Sequence, residues 1–103
     1  MKEMGTTNGI NRYSGYGWLR GFSVVPSWGA RIEQSWWEYR PERMREEVAL
    51  ARQVHANCLR LWIEFPAWMA DPERVTANFL DAIDAIAEAG MKTMPCLFNR
   101  WHN

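Results

Sequence analysis

The sequence predicts an α/β fold of parallel strands in the order βαβαβ, and three observations predict it. Residues 58–65, Cys-Leu-Arg-Leu-Trp-Ile-Glu-Phe, alternate between an aliphatic face (Leu59, Leu61, Ile63, Phe65) and a mixed one (Cys58, Arg60, Trp62, Glu64), the period of a strand. A helical stripe precedes this strand and another follows it. Each stripe lies between two extended segments, and strands joined through helices run parallel.

The elements follow in order. Residues 18–25 are rich in aromatic and β-branched side chains and stop at Pro26, which reads as the first strand. Residues 26–40 read as a long loop. Pro41 suits a first helical position, and Met44, Val48, Ala51 and Val54 recur at helical spacing over 41–56. Glu42, Glu46 and Glu47 crowd the early turns, where the helix dipole favours anions, and His55 lies near the cation-favouring end. The second strand, 58–65, ends at Pro66. Asp71-Pro72 is an N-cap followed by proline, opening a helix to about Ala89 with Val75, Phe79, Ala82, Ile83 and Ile86 on one stripe; Gly90 closes it. Residues 92–98 are the third strand, with Pro95 expected to cost a ladder hydrogen bond. Residues 1–17 read as an extension or short hairpin, so the chain is one partial domain with three β/α units over 18–103.

Helices in this order cover only one face of the sheet, which leaves an open doubly wound sheet or a closed barrel. Arg60, Trp62 and Glu64 would be costly on a face covered by helices. In a (β/α)8 TIM barrel that face points inward, and its upper end lines the mouth where such barrels hold their sites. No glycine-rich phosphate fingerprint follows the first strand, where the chain reads Pro26-Ser27-Trp28-Gly29-Ala30. The reading is therefore an incomplete barrel, since a whole one needs ~250 residues and the sequence has 103.

Composition narrows the function classes. Lys plus Arg and Asp plus Glu are 12 each, so the net charge is zero, against a nucleic-acid or polybasic membrane partner. Apolar residues at 48 % suffice for a core. The first eight residues carry no apolar run, so no signal peptide is visible, which leaves the chain cytoplasmic or secreted after processing. Cys58 and Cys96 are too few for a disulfide scaffold or a zinc site; a bridge between neighbouring strands is conceivable, buried thiols are the expected state, and no cofactor or metal is expected.

Tryptophan carries most of the functional signal. Of seven, Trp28, Trp36 and Trp37 follow the first strand, Trp68 the second and Trp101 the third. In a barrel all post-strand loops gather at one end. Flat rings there, with Arg60, Glu64, Asn99 and His102 nearby, suit the C–H faces and hydroxyl edges of sugars. The structural alternative is that these indoles only pack the loops onto the scaffold.

Leu19-Arg20-Gly21-Phe22-Ser23, Asn57-Cys58-Leu59-Arg60-Leu61-Trp62, and Pro95-Cys96-Leu97-Phe98 with Trp101-His102-Asn103 resemble the opening strands of clan A glycoside hydrolases, of the cellulase-like, family-five type. The resemblance implies a β/α barrel that cleaves β-linked polysaccharide with retention. It implies that Arg60 steadies the nucleophilic carboxylate and that His102 lies near the reacting sugar. The sequence departs from that pattern at Ser23, where Asn is common, and in the spacing of Asn99-Arg100-Trp101-His102. The family's two catalytic glutamates follow its fourth and seventh strands, beyond residue 103, so Glu33, Glu38 and Glu64 are expected in structural or subsite roles. The expectation is an N-terminal portion of such an enzyme, inactive by itself, with Arg60, Trp62, Glu64, Trp28, Asn99, Trp101 and His102 binding an oligo- or polysaccharide. Self-association or complementation by the rest of the barrel would cover its open edges. A non-catalytic carbohydrate- or partner-binding βαβ module is the alternative.

Overall fold

Three parallel strands, β1 (Gly21–Ser23), β2 (Cys58–Ile63) and β3 (Lys92–Leu97), form one sheet with β2 in the centre. The computed structural model describes residues 16–29 and 32–98. Four helices connect the strands: α1 (Ile32–Trp37), α2 (Pro41–Gln53), α3 (Phe65–Ala70) and α4 (Pro72–Glu88). The fold is α/β, as predicted, and fits a partial β/α repeat.

The aliphatic face of β2 makes the core. Leu59 and Leu61 are fully buried and Ile63 nearly so, packed with Met44, Val48 and Ala51 of α2 and Val75, Phe79, Ala82 and Ile86 of α4. Completely burying a leucine or isoleucine contributes roughly 1.5–3 kcal/mol, so this seam is the main stabilising layer. The opposite face of β2 exposes Arg60 and half-buries Trp62.

Three predicted elements need correction. Residues 26–40 are not all loop: they contain α1, whose Trp36 is fully buried. Its short apolar patch reads as loop because one turn and a half cannot display a stripe. Likewise β2 stops at Ile63, and Phe65 opens α3 instead of ending the strand; Pro66 sits in that helix's first turn, where a missing N–H costs nothing. Trp68 is therefore helical. The first strand shrinks from eight predicted residues to Gly21–Ser23, and the extension or short hairpin predicted over 1–17 lies outside the described residues apart from the start of a 3₁₀ turn at Tyr16–Trp18.

Both long helices end in the same hydrogen-bonded motif. Met91 N–H donates to Ile86 and Gly90 N–H to Ala87, with Gly90 at φ 81°. At the end of α2, Ala56 N–H donates to Ala51 and His55 N–H to Arg52, with His55 at φ 66°. This is the Schellman arrangement, and His55 occupies the left-handed position that glycine takes after α4. A left-handed L-residue costs roughly 1–2 kcal/mol, so His55→Gly should stabilise the protein by about 1 kcal/mol, read as a higher urea midpoint at unchanged slope. An unchanged or lower midpoint would contradict the left-handed conformation of His55.

Pro95 costs the sheet less than its sequence position suggests. Lys92 N–H donates to Asn57 and Phe98 N–H to Ile63. Alternation in a parallel ladder then points the even-numbered N–H groups of β3 at β2 and those of Thr93 and Leu97 at the open edge. The missing N–H of Pro95 falls on that edge, where it also blunts unwanted strand pairing. Register settles the cysteines as well. Cys58 pairs with Lys92, and Cys96 with Trp62. The two thiols are thus four residues apart along the strands, roughly 13 Å, and both are free; the conceivable bridge cannot form.

A polar tie joins α2 and the segment before it to α4. Tyr39 Oη donates to Asp81 Oδ2 at 2.7 Å, and Arg45 Nη1 donates to the same oxygen at 3.2 Å. Burial, then the hydrogen bond to Asp81, raises the Tyr39 phenol above its usual range, while Tyr39 first and Arg45 next hold the Asp81 carboxyl below the carboxylate range. A depressed Asp contributes stability above its unfolded pKa of about 4 and loses it as pH falls through the lower folded value. A raised Tyr contributes below pH about 10 and loses it above. Asp81→Asn should therefore flatten the decline in Tm of the wild type below pH about 4. Parallel Tm–pH curves for the two proteins would exclude this coupling.

Candidate functional site

The open face of the sheet gathers the predicted β2 residues. Arg60 and Trp62 are two apart on one strand and so project to one side, with the Arg60 Cζ 5.1 Å from the Trp62 ring centroid. That distance is a cation–π contact. It holds the guanidinium over the indole and gives the pair one flat, charged surface. Ser23 and Met94 flank Arg60 in register, and Cys96 flanks Trp62. An open cavity of about 300 Å³ lies here, lined by Leu19, Gly21, Phe22, Ser23, Cys58, Arg60 and Met94.

The second sequence signal, Asn57, has a different task from Arg60. Its Oδ1 accepts from Arg20 N–H at 2.8 Å, its Nδ2 donates to Trp18 O at 2.6 Å, and its own N–H donates to Arg20 O at 2.7 Å. These three bonds fix the entry of β1 beside β2. Asn57 positions the strand, and Arg60, three residues on, emerges beside Ser23.

Glu64, the next residue in the alternation, is fully buried at the junction of β2 and α3. It stands four residues from Arg60, roughly 13 Å along an extended chain, and the two form no ion pair. Glu64 is thus enclosed at the rim, while Arg60 is exposed.

The loop indoles divide differently from the prediction. Trp36 Nε1 donates to Trp62 O at 3.1 Å, Trp37 Nε1 to Ala67 O at 3.0 Å, Trp28 Nε1 to Ser35 O at 3.2 Å and Trp68 Nε1 to Thr76 Oγ1 at 3.0 Å. Trp36 also stacks on Tyr39 and meets Phe79 edge-on. All four pack on the core and peg the post-strand segments to it. Trp28 and Trp68 keep half-exposed rings. The ring beside Arg60 is Trp62, which belongs to the strand itself. Asn99, Trp101 and His102 lie outside the described residues.

Sequence reasoning missed Ser23, Met94 and Cys96 as neighbours of the Arg60–Trp62 pair. Strand register supplies them, and register is not visible until β1 and β3 are aligned to β2. Among the described residues no group of three or more His, Cys, Asp and Glu side chains could hold a metal, and no helix is long and apolar enough to cross a membrane. No protein-family model matches the chain, and neither a curated protein nor a solved structure matches it.

Proposed function

We propose that this chain forms the first three β/α units of a (β/α)8 barrel of the clan A glycoside hydrolase type, and that its open face is a carbohydrate-binding wall for β-linked polysaccharide. The observation that carries the reading is the asymmetry of the sheet. Helices bury one face of β2, and the other presents a guanidinium stacked on an indole beside a cavity. A barrel interior has this two-sided character, and an indole face flanked by hydrogen-bond donors is a natural sugar platform.

The flanks agree with an arc of a larger barrel. An almost wholly apolar groove of about 430 Å³ runs along the β3 edge between α4 and the strand, lined in part by Ile63, Phe79, Leu80, Ile83, Leu97 and Phe98. A second groove of about 390 Å³ runs along the β1 edge beside Leu50, Ala51 and Val54 of α2. In a β/α barrel a neighbouring helix fills each such slot. Later units would supply those helices and the two catalytic carboxylates.

The non-catalytic module is the second reading, and one observation favours it. Along the three strands, no described position on the open face is Asp or Glu; Glu64, just beyond β2, is buried. Retaining hydrolysis needs two carboxyl groups ~5–5.5 Å apart. Both readings give one result for this chain: no release from chromogenic β-glucan or β-mannan, and a saturable change in tryptophan emission with cello- or manno-oligosaccharides. Trp62→Leu should abolish that change. Unchanged emission at millimolar sugar would end the carbohydrate reading. Hydrolysis by the isolated chain would end the assignment of the carboxylates to later units.

A further inference from the structure

We infer that the Arg60–Trp62 face selects acidic sugars, binding a uronate-bearing β-linked oligosaccharide in preference to its neutral counterpart. The inference rests on the carbohydrate reading above and names the substrate class for the same surface. Charge complementarity carries it. Arg60 is exposed and makes no ion pair among the described residues, whereas two arginines of the helical layer are paired, Arg43 with Glu46 and Arg45 with Asp81 and Glu88. Lys92, in register with Cys58, adds a second cation to the same face. Two residues along the strand and one strand across, its Cα lies roughly 8 Å from that of Arg60.

Among the described residues of the strands, no carboxylate offsets this pair. The strand positions around it are Ser23, Cys58, Met94 and Cys96, and Glu64 is buried roughly 13 Å farther along. The face therefore carries two positive charges in a protein of zero net charge. A neutral glucan would leave that field unanswered. A sugar carboxylate would meet the guanidinium in a bidentate contact, while the C–H face of its ring lies along the exposed part of Trp62. Ser23, the register partner of Arg60, offers a hydroxyl beside the cavity. A guanidinium has five N–H donors, so binding a uronate leaves donors for a carboxylate from a later barrel unit.

The test compares a trimer of β-1,4-linked glucuronate with cellotriose, which differs in lacking the C6 carboxylate. Binding is read by tryptophan emission and calorimetry on the full chain at low and high salt. The acidic trimer should bind about tenfold or more tightly, the scale of a charge-assisted hydrogen bond over a neutral one. High salt should reduce that preference. Arg60→Gln should erase it and Arg60→Lys restore it in part; Arg60 is exposed, and an unchanged Tm will verify that both variants fold. Equal affinity for the two trimers, or a preference that survives in Arg60→Gln, overturns the inference and leaves the carbohydrate reading standing. Binding of neither trimer overturns both.

Discussion

Trp36→Ala should destabilise the protein by about 3–5 kcal/mol, the range for truncating a fully buried large aromatic. That is a large part of the 5–15 kcal/mol that holds an ordinary domain together, so the variant should be largely unfolded at 37 °C. Two losses combine. The indole is fully buried between Tyr39, 5.9 Å away in a stacked pair, and Phe79, 5.0 Å away edge-on. Its N–H donates to Trp62 O, and removing it leaves that carbonyl unsatisfied. Its own backbone carbonyl, which alanine keeps, accepts from Asn78 Nδ2 at 2.8 Å and ties α1 to α4. Trp36→Phe separates the terms: it keeps most of the ring packing, loses the donor, and should cost about 1–3 kcal/mol. Urea unfolding followed by far-UV circular dichroism measures both. A cost below about 1 kcal/mol for Trp36→Ala would mean that α1 does not cover the end of the sheet.

That prediction also marks where sequence reasoning stops. The long helices were legible because their stripes, N-terminal prolines and the Asp71 cap are local signals; the Asp71 side chain does accept from Arg74 N–H. The central strand was legible because Leu59, Leu61 and Ile63 alternate against Arg60 and Trp62. Trp36 was legible only as an aromatic residue in a connection. Its neighbours Trp62, Phe79 and Asn78 lie 26, 43 and 42 positions away in the sequence, and nothing in the local pattern of Ser35-Trp36-Trp37 distinguishes a core peg from a ligand platform. The same holds for the left-handed His55, since most residues in that position are Gly or Asn. Among the candidate site residues, strand alternation fixed the shared side of Arg60 and Trp62. The burial of Glu64 depended on α3 folding over the end of β2, which a proline-terminated strand does not announce.

Gly21→Ala should be the second most damaging single change, although it adds only one methyl group. A Cβ at position 21 would stand 1.9 Å from the Cys58 carbonyl oxygen and 2.8 Å from its carbonyl carbon. These are backbone atoms of the central strand, so no side-chain rotation relieves the clash. Either β1 withdraws from β2 or β2 distorts. Overpacking of this kind costs roughly 1–3 kcal/mol and occasionally more. The cost should lie towards the upper end, because β1 is three residues long and its pairing rests on Gly21↔Cys58, Phe22↔Leu59 and Ser23↔Arg60. Withdrawal of β1 also moves Ser23 away from Arg60 and opens the wall of the 300 Å³ cavity. The variant should therefore lose oligosaccharide-induced tryptophan emission as well as stability, whereas Ser23→Ala should weaken binding with little change in Tm. Amide exchange gives the sharpest readout. Val24 N–H, which donates to Arg60 O at 2.9 Å, should lose protection in Gly21→Ala while Lys92 and Phe98 in the β2–β3 ladder keep theirs. Retained protection at Val24 together with wild-type stability would show that β1 does not pair with β2 in this register, and the arrangement of Ser23 beside Arg60 would fall with it.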